Sequence, residues 1–488
     1  MKTVAKLLTL LLVGVLLLGV FASCKNDTKQ PVDTGSDETE DVGDGLYDAN
    51  GYLKDSLPAS YDFNSEFVIY AWEDQKSWEW VEDETIESGV QLTEVEQSLY
   101  EREANVEDRF GVDIRRVYKP GEWNNYTTFI STLSQSVLAN DHEYDLVDQY
   151  TGAAGPGAVN GLYSNLNQSD YLDLSKPWWP ESIVETATIG DKLYFVTGDI
   201  TPLLIRNVQC MFVNLDMYGS YNCASAVDGR TIYQVVNDYD WTVENMLKMA
   251  LDRVSTDAGD YGISFLNEVT ADSFYYGAGF TLLQNTDGIL SLSGDLTNNL
   301  LINYFDDMKE LYTGRYADVA IAGSQVFQQG KSIFYVGNVS DSQVFTTENV
   351  KFTVLPMPLL NSDQQEYRTC ASLWVSMFSI PVDAKDFTMS GVILEALGSE
   401  AYRTVTDEVY YNLFQMRYNG LDSDSAKMFD IVSDSVVCDT ARFFAVDLGM
   451  FAQFRNGVNS TSGSWTDIYN TNSSSWSQKV TDLYGKIG

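Results

Sequence analysis

The chain of 488 residues carries 70 acidic and 30 basic side chains, a formal net charge of −40, and is 44 % hydrophobic and 13 % aromatic. That charge argues against nucleic acid as a partner and against docking on anionic lipid through a basic face. With His142 as the one histidine, histidine-built metal sites, H-E-x-x-H zinc chemistry and a Ser-His-Asp set find no support.

At the N-terminus, Lys2 and Lys6 flank an apolar run from Leu7 to Phe21, and the small pair Ala22-Ser23 precedes Cys24. A bilayer-spanning helix needs about 20 apolar residues, so residues 1–23 read as a signal peptide. Phe21 to Cys24 resembles a lipobox in which phenylalanine replaces the usual leucine. That resemblance implies diacylglycerol on the Cys24 thiol and cleavage before it. The chain would then be lipid-anchored on the extracellular face of the cell membrane, since each buried methylene adds about 0.8 kcal/mol and two or three acyl chains hold firmly. From Cys24 to about Ser60 the segment is polar, most acidic over Asp37–Asp41. It buries too little to offset its ordering entropy, so 24–60 is expected to be a disordered acidic tether. Asp48 to Gly51 lacks the sustained acidic spacing of a calcium loop and reads as a turn.

Residues 61–488 exceed one ordinary core and suggest two lobes. Phe67–Trp72 is strand-like, Ser98–Phe110 has helical spacing, and Gly111 stands where a helix-ending glycine belongs. Val112–Val117 alternates as a strand, Tyr126–Leu138 is helical, and Tyr144–Asp148 is a short strand running into Tyr150. Strand, helix, strand, helix, strand marks a mostly parallel α/β sheet, whose ligands sit beyond the carboxyl ends of strands. Further strands are expected at Leu193–Val196, Gln209–Asn214, Lys351–Pro358 and Leu373–Ile380. Thr242 caps a helix reaching about Val254, Leu300–Tyr312 is amphipathic, and Phe327–Asn338 reads as helix end, glycine stop and strand. Helices follow from Asp386 to about Tyr411 and from Ser423 to Val432, and Trp465, Tyr469, Trp476 and Leu483 imply that the polar tail packs. Cys210, Cys223, Cys370 and Cys438 allow three disulfide pairings, and each also suits a small buried hydrophobe.

Several stretches, in order, resemble the extracellular solute-binding proteins of family 1, the carbohydrate-type lipoprotein partners of ABC importers. They are Tyr144-Asp145-Leu146-Val147 after its helix, Gly190–Phe195 followed by Met211–Asp216, Asp240–Asn245, Phe327–Lys331, and Leu355–Pro358. Departures are Leu215 where the family has lysine, Ser332 where it has alanine, and Gly337-Asn338 without a following aromatic. The resemblance implies an α/β, two-lobe periplasmic-binding-protein-like fold of type II with a multi-strand hinge. Lobe I would take 61–198 plus 329–372, and lobe II 199–328 plus 373–488, with hinge strands near Val196–Asp199, Gly330 and Leu373. It also implies a small-molecule solute, carbohydrate in kind, ABC permease subunits as partners, no metal, no cofactor and a monomer.

A sugar presents C–H faces and a rim of hydroxyls, so its site needs aromatic platforms with carboxylates and amides. The topology places Trp72, Glu73, Tyr150, Asp199, Tyr276, Asn338 and Trp374 around the cleft, with Trp72 and Tyr150 leading because they end strands. Any one of these aromatics also serves in core packing, and packing is preferred for Trp178 and Trp179. The alternative function is a secreted glycan-active hydrolase, which needs only a carboxylate pair; no pair stands out in this acidic sequence.

Overall fold

The structure, a computed structural model, describes residues 46–250, 259–286, 288–314, 317–318, 323–345, 350–411, 413 and 423–488. The signal segment, Cys24, the acidic stretch to residue 45 and the helix end expected near Val254 lie outside the described residues. Met1–Leu53 forms one unit and Lys54–Gly488 another. Within the first, Asp48 Oδ1 accepts from the backbone N–H groups of Asn50 and Tyr52, both at 2.9 Å, and closes the expected turn.

The tether expected to reach Ser60 ends earlier. Asp55, its side chain 3 % exposed, pairs with Arg109 at 2.7 Å and with Arg403 at 3.5 Å. Leu57 packs against the same core. Composition hides this, because one ion-paired acid looks like its solvated neighbours until its partners are brought up.

The larger unit is an α/β body built on two separate sheets. The first has the order Ser376–Ser379, Leu146–Tyr150, Ser65–Trp72, Val112–Lys119, the last three parallel and the first antiparallel. Ser65–Trp72 is buried from Phe67 onward, as a central parallel strand covered on both faces must be. The helix Glu94–Phe110 starts at a Thr93–Glu96 capping box and stops at Gly111, φ 60°. A Cβ at Gly111 would meet Asp62 Oδ1 at 2.2 Å, so only glycine fits that stop.

The second sheet runs Val436–Val437, Thr369–Ala371, Val208–Asn214, Ser332–Asn338, Tyr261–Phe265, Ala317–Asp318, and Phe352–Leu355 also pairs with Val208–Asn214. This corrects the expected division. Within 329–372, assigned to lobe I, the strands Ser332–Asn338, Phe352–Leu355 and Thr369–Ala371 all belong to the second sheet, whereas Ser376–Ser379 joins the first. Strand runs announce themselves locally, but their pairing partners, such as Tyr335 for Phe212 and Tyr150 for Ser376, are distant in sequence and leave no local mark.

Two of the chain's passages between the sheets lie side by side, and a later one leads from Ser376–Ser379 to Val436–Val437. Val196 bridges Phe378 before the chain reaches Val208–Asn214, and Thr369–Ala371 leads on to Ser376–Ser379. The passages are tied together: the Ser372 N–H donates to Asn207 O at 3.0 Å, and Asn207 Nδ2 donates to Trp374 O at 2.5 Å. Thus Val196–Asp199 and Leu373 lie at the passages. Gly330, expected there too, instead follows the helix Gly323–Gln328 with φ 68° and leads into a second-sheet strand. The expected strand Leu193–Val196 contributes only the Val196 bridge.

The polar tail packs as expected. It forms the helix Trp465–Ile487, which buries Trp465, Trp476 and Leu483, and Trp465 Nε1 donates to Leu296 O at 2.8 Å. Trp178 and Trp179 are both buried, in line with packing. Cys210, Cys223, Cys370 and Cys438 are free thiols, all buried.

Candidate functional site

Three of the predicted residues meet. Trp72 ends the central strand of the first sheet, Tyr150 ends its neighbour, and Trp374 sits on the second passage. Ring centroids are 5.6 Å apart for Trp72–Tyr150, 6.0 Å for Trp72–Trp374 and 6.0 Å for Tyr150–Trp374. Their exposures differ: Trp72 is 0 %, Tyr150 2 % and Trp374 39 % exposed. Trp374 is therefore the ring with a face to offer, and the two favoured by strand position lie beneath it. Trp72 Nε1 donates to Ser376 Oγ at 2.7 Å, which satisfies the buried indole.

The strand ends beside the cluster are joined by Asp74. Its Oδ2 accepts from the N–H groups of Gly121 at 2.8 Å and Glu122 at 3.2 Å. A Cβ at Gly121 would lie 2.7 Å from Trp72 Cβ and 3.0 Å from the Phe129 ring, so this turn packs directly against both residues. Glu73 follows Trp72 and is exposed. Beyond the turn Trp123, 41 % exposed, lies 5.8 Å from Phe451, a residue of the C-terminal segment.

Tyr276 belongs to a different group. Arg442 lies over its ring at 5.4 Å, and Arg442 and Arg455 both pair with Asp272, at 3.1 and 3.0 Å. Burial raises the Asp272 carboxyl against the opposing pull of Arg455 and Arg442. The two groups face each other electrically: burial raises the Tyr150 phenol, while Arg442 and Arg455 pull it down and Glu122 pushes it up. Asp199 and Asn338 do not join either group. Asp199 is half-buried on the first passage, its N–H donating to Trp178 O at 3.0 Å. Asn338 ends a second-sheet strand opposite Gln209, its N–H donating to Asp341 Oδ2 at 3.0 Å.

Sequence reasoning missed Trp123, Phe451, Asp272, Arg442 and Arg455. Arg442 carried a usable signal, a lone cation followed by Phe443, Phe444 and Ala445 in an acidic chain, which implies a buried partner. A cavity of about 920 Å³ lies away from the aromatic cluster; of the predicted residues only Tyr276 lines it, with Tyr239, Phe280 and Tyr367. Among the described residues no group of three or more His, Cys, Asp or Glu could hold a metal.

The fold is that of the two-lobe, periplasmic-type solute-binding proteins, with the aromatic cluster where the passages meet the strand ends. Solved structures of that class match most of the chain. A cyclo/maltodextrin-binding protein complexed with maltotetraose aligns with TM-score 0.53 and 14 % identity over 86 % of this chain and 96 % of its own. The GacH receptor of Streptomyces glaucescens, solved unliganded and with acarbose, gives 0.54 and 13 % over 86 % and 99 %. The galacto-N-biose-/lacto-N-biose I-binding protein of a Bifidobacterium longum ABC transporter gives 0.52 and 11 % over 87 % and 97 %. No protein-family profile matches the sequence, and no curated protein matches it. At these identities the likeness is one of fold.

Proposed function

We propose that this chain is an extracellular, lipid-anchored solute-binding protein. It takes a sugar or short oligosaccharide between its lobes and hands it, chemically unchanged, to the permease of an ABC importer. The observation that carries the reading is Trp374, an exposed indole backed by two buried rings at the junction of the lobes. Such a face suits the C–H side of a sugar, and Glu73, Glu122 and the amide of Asn207 lie on adjoining segments to meet hydroxyls. The named structural neighbours, described as binding proteins and receptors, favour carriage over cleavage. Closure would turn about the two passages, as in hinge-type capture. Anchoring rests on the lipobox resemblance at Cys24 and the signal segment before it.

The test is a thermal-shift screen with maltotetraose, acarbose, lacto-N-biose, galactose and other neutral sugars, each re-analysed after incubation. The expected result is a rise in Tm with at least one sugar recovered intact. New reducing ends would favour the hydrolase, and no shift with any sugar would remove carbohydrate as the ligand class.

A further inference from the structure

Beneath the aromatic cluster lies a pair of acids with no role so far. Glu79 and Asp148 are 1 % and 0 % exposed. Each has one carboxylate oxygen bonded: Glu79 Oε1 accepts from Thr201 Oγ1 at 2.5 Å, and Asp148 Oδ2 accepts from Trp80 Nε1 at 3.0 Å. The other two oxygens, Glu79 Oε2 and Asp148 Oδ1, are buried without a hydrogen-bond partner.

The available donors do not suffice. The Ser376 hydroxyl favours the ionised form of both acids, but it has one proton to give. The same oxygen accepts from Trp72 Nε1. Arg102, fully buried, donates to the carbonyls of Ile200 and Glu79, at 2.8 and 2.9 Å, and so supplies field and no direct bond to either carboxylate. Two ionised carboxylates side by side in this setting would leave one charge uncompensated. One proton placed between them supplies a donor for one orphan oxygen and removes the repulsion.

We propose that Glu79 and Asp148 share a single proton and act as positioning residues, clamping Ser376 and, through it, the Trp72 indole that floors the aromatic cluster. The proposal rests on the reading of that cluster as the sugar site, but its test uses no ligand. Thr201 lies on the first passage and Ser376 begins the strand after the second, so the pair also fastens both passages to the first sheet. The charged and titratable groups facing the pair are Arg102 from the helix Glu94–Phe110 and Tyr118 from the edge strand, with Glu103 and Arg116 beside Arg102. Arg116 is engaged by Glu103 at 2.5 Å, which leaves Arg102 as the near cation. Burial, with Asp148 beside it, drives Glu79 well above its ordinary value, and burial takes Asp148 to about 6. Both values are raised, so the stability from the held proton is complete below the unfolded values and is lost as pH rises through the folded ones.

The experiment uses protein labelled with ¹⁵N at tryptophan, with the Trp72 Nε1–H resonance assigned by its absence in Trp72→Phe. In the wild type that resonance should titrate in a single step between pH 5 and pH 9, and in Glu79→Gln the step should move to lower pH, where Asp148 titrates alone. Urea midpoints of wild type, Glu79→Gln and Glu79→Ala over the same range give a second reading. The midpoint of Glu79→Gln should gain on wild type as pH rises, whereas Glu79→Ala should be lower than Glu79→Gln throughout. A Trp72 resonance that does not titrate, or that titrates equally in Glu79→Gln, overturns the proposal. So do parallel wild-type and Glu79→Gln midpoint curves. A failed sugar screen removes the sugar reading and leaves the shared proton untouched, whereas a fixed Trp72 resonance removes the shared proton alone, so the two ideas fail separately.

Discussion

Trp72 and Trp374 share one ring cluster, yet the floor and the lip of that cluster are built differently. Trp72 ends a central strand, is fully buried, and has its N–H satisfied by Ser376. Trp374 stands on a passage between sheets, 39 % exposed, with its backbone carbonyl held by Asn207. The same side chain therefore contributes to the fold in one place and offers a surface in the other. A buried indole is bound into packing and hydrogen bonding, while a half-exposed one fixed by its backbone presents a rigid apolar plate.

The largest effect should separate floor from fold. Trp72→Ala is expected to lower unfolding free energy by about 3–5 kcal/mol, read by urea denaturation. A loss under about 1 kcal/mol would mean the floor is not packed as described. Close behind comes Asp272→Ala, which leaves Arg442, 1 % exposed, without its acid while Arg455, 13 % exposed, can turn outward. A loss near 3 kcal/mol is expected, at the low end for a broken buried pair; an unchanged midpoint would show that the two arginines do not need it.

Trp374→Ala sharpens the comparison from the other side. Its unfolding free energy should stay within about 1 kcal/mol of wild type, while affinity for a sugar found by screening falls about tenfold, or roughly 1.4 kcal/mol. The reverse pattern, lost stability with kept affinity, would exchange the roles of floor and lip. The smallest effect is a pH slope remote from the cluster. Glu395 accepts from Trp179 Nε1 at 2.9 Å, and burial pushes its carboxyl up to about 7. With a folded value above the ordinary 4.5, its contribution is complete below that value and lost as pH rises through about 7. Glu395→Gln should therefore flatten the decline in Tm between pH 5 and pH 8 without altering sugar affinity.

Features set by local pattern were legible in the sequence. The strand Phe67–Trp72, the stop at Gly111 and the buried tryptophans of the tail follow from apolar spacing and from a left-handed residue that only glycine fits. Features set by distant partners were not. Nothing local assigns Ser332–Asn338 to the second sheet and Ser376–Ser379 to the first. Asp55 looked like tether until Arg109 and Arg403 met it. For the site, the meeting of Trp72, Tyr150 and Trp374 followed from strand ends, but which ring faces outward depended on Ser376, Gly121 and Asn207 closing around the others. Asp272, Arg442 and Arg455 converge from separate segments and had no shared motif to announce them.

The most direct measurement is the thermal-shift screen of neutral sugars run side by side on wild type and Trp374→Ala, with the sugar re-analysed afterwards. At least one sugar is expected to raise the wild-type Tm, the variant to lose most of that rise, and the sugar to be recovered uncleaved. An equal rise in both proteins, no rise with any sugar, or cleavage of the sugar would contradict that expectation.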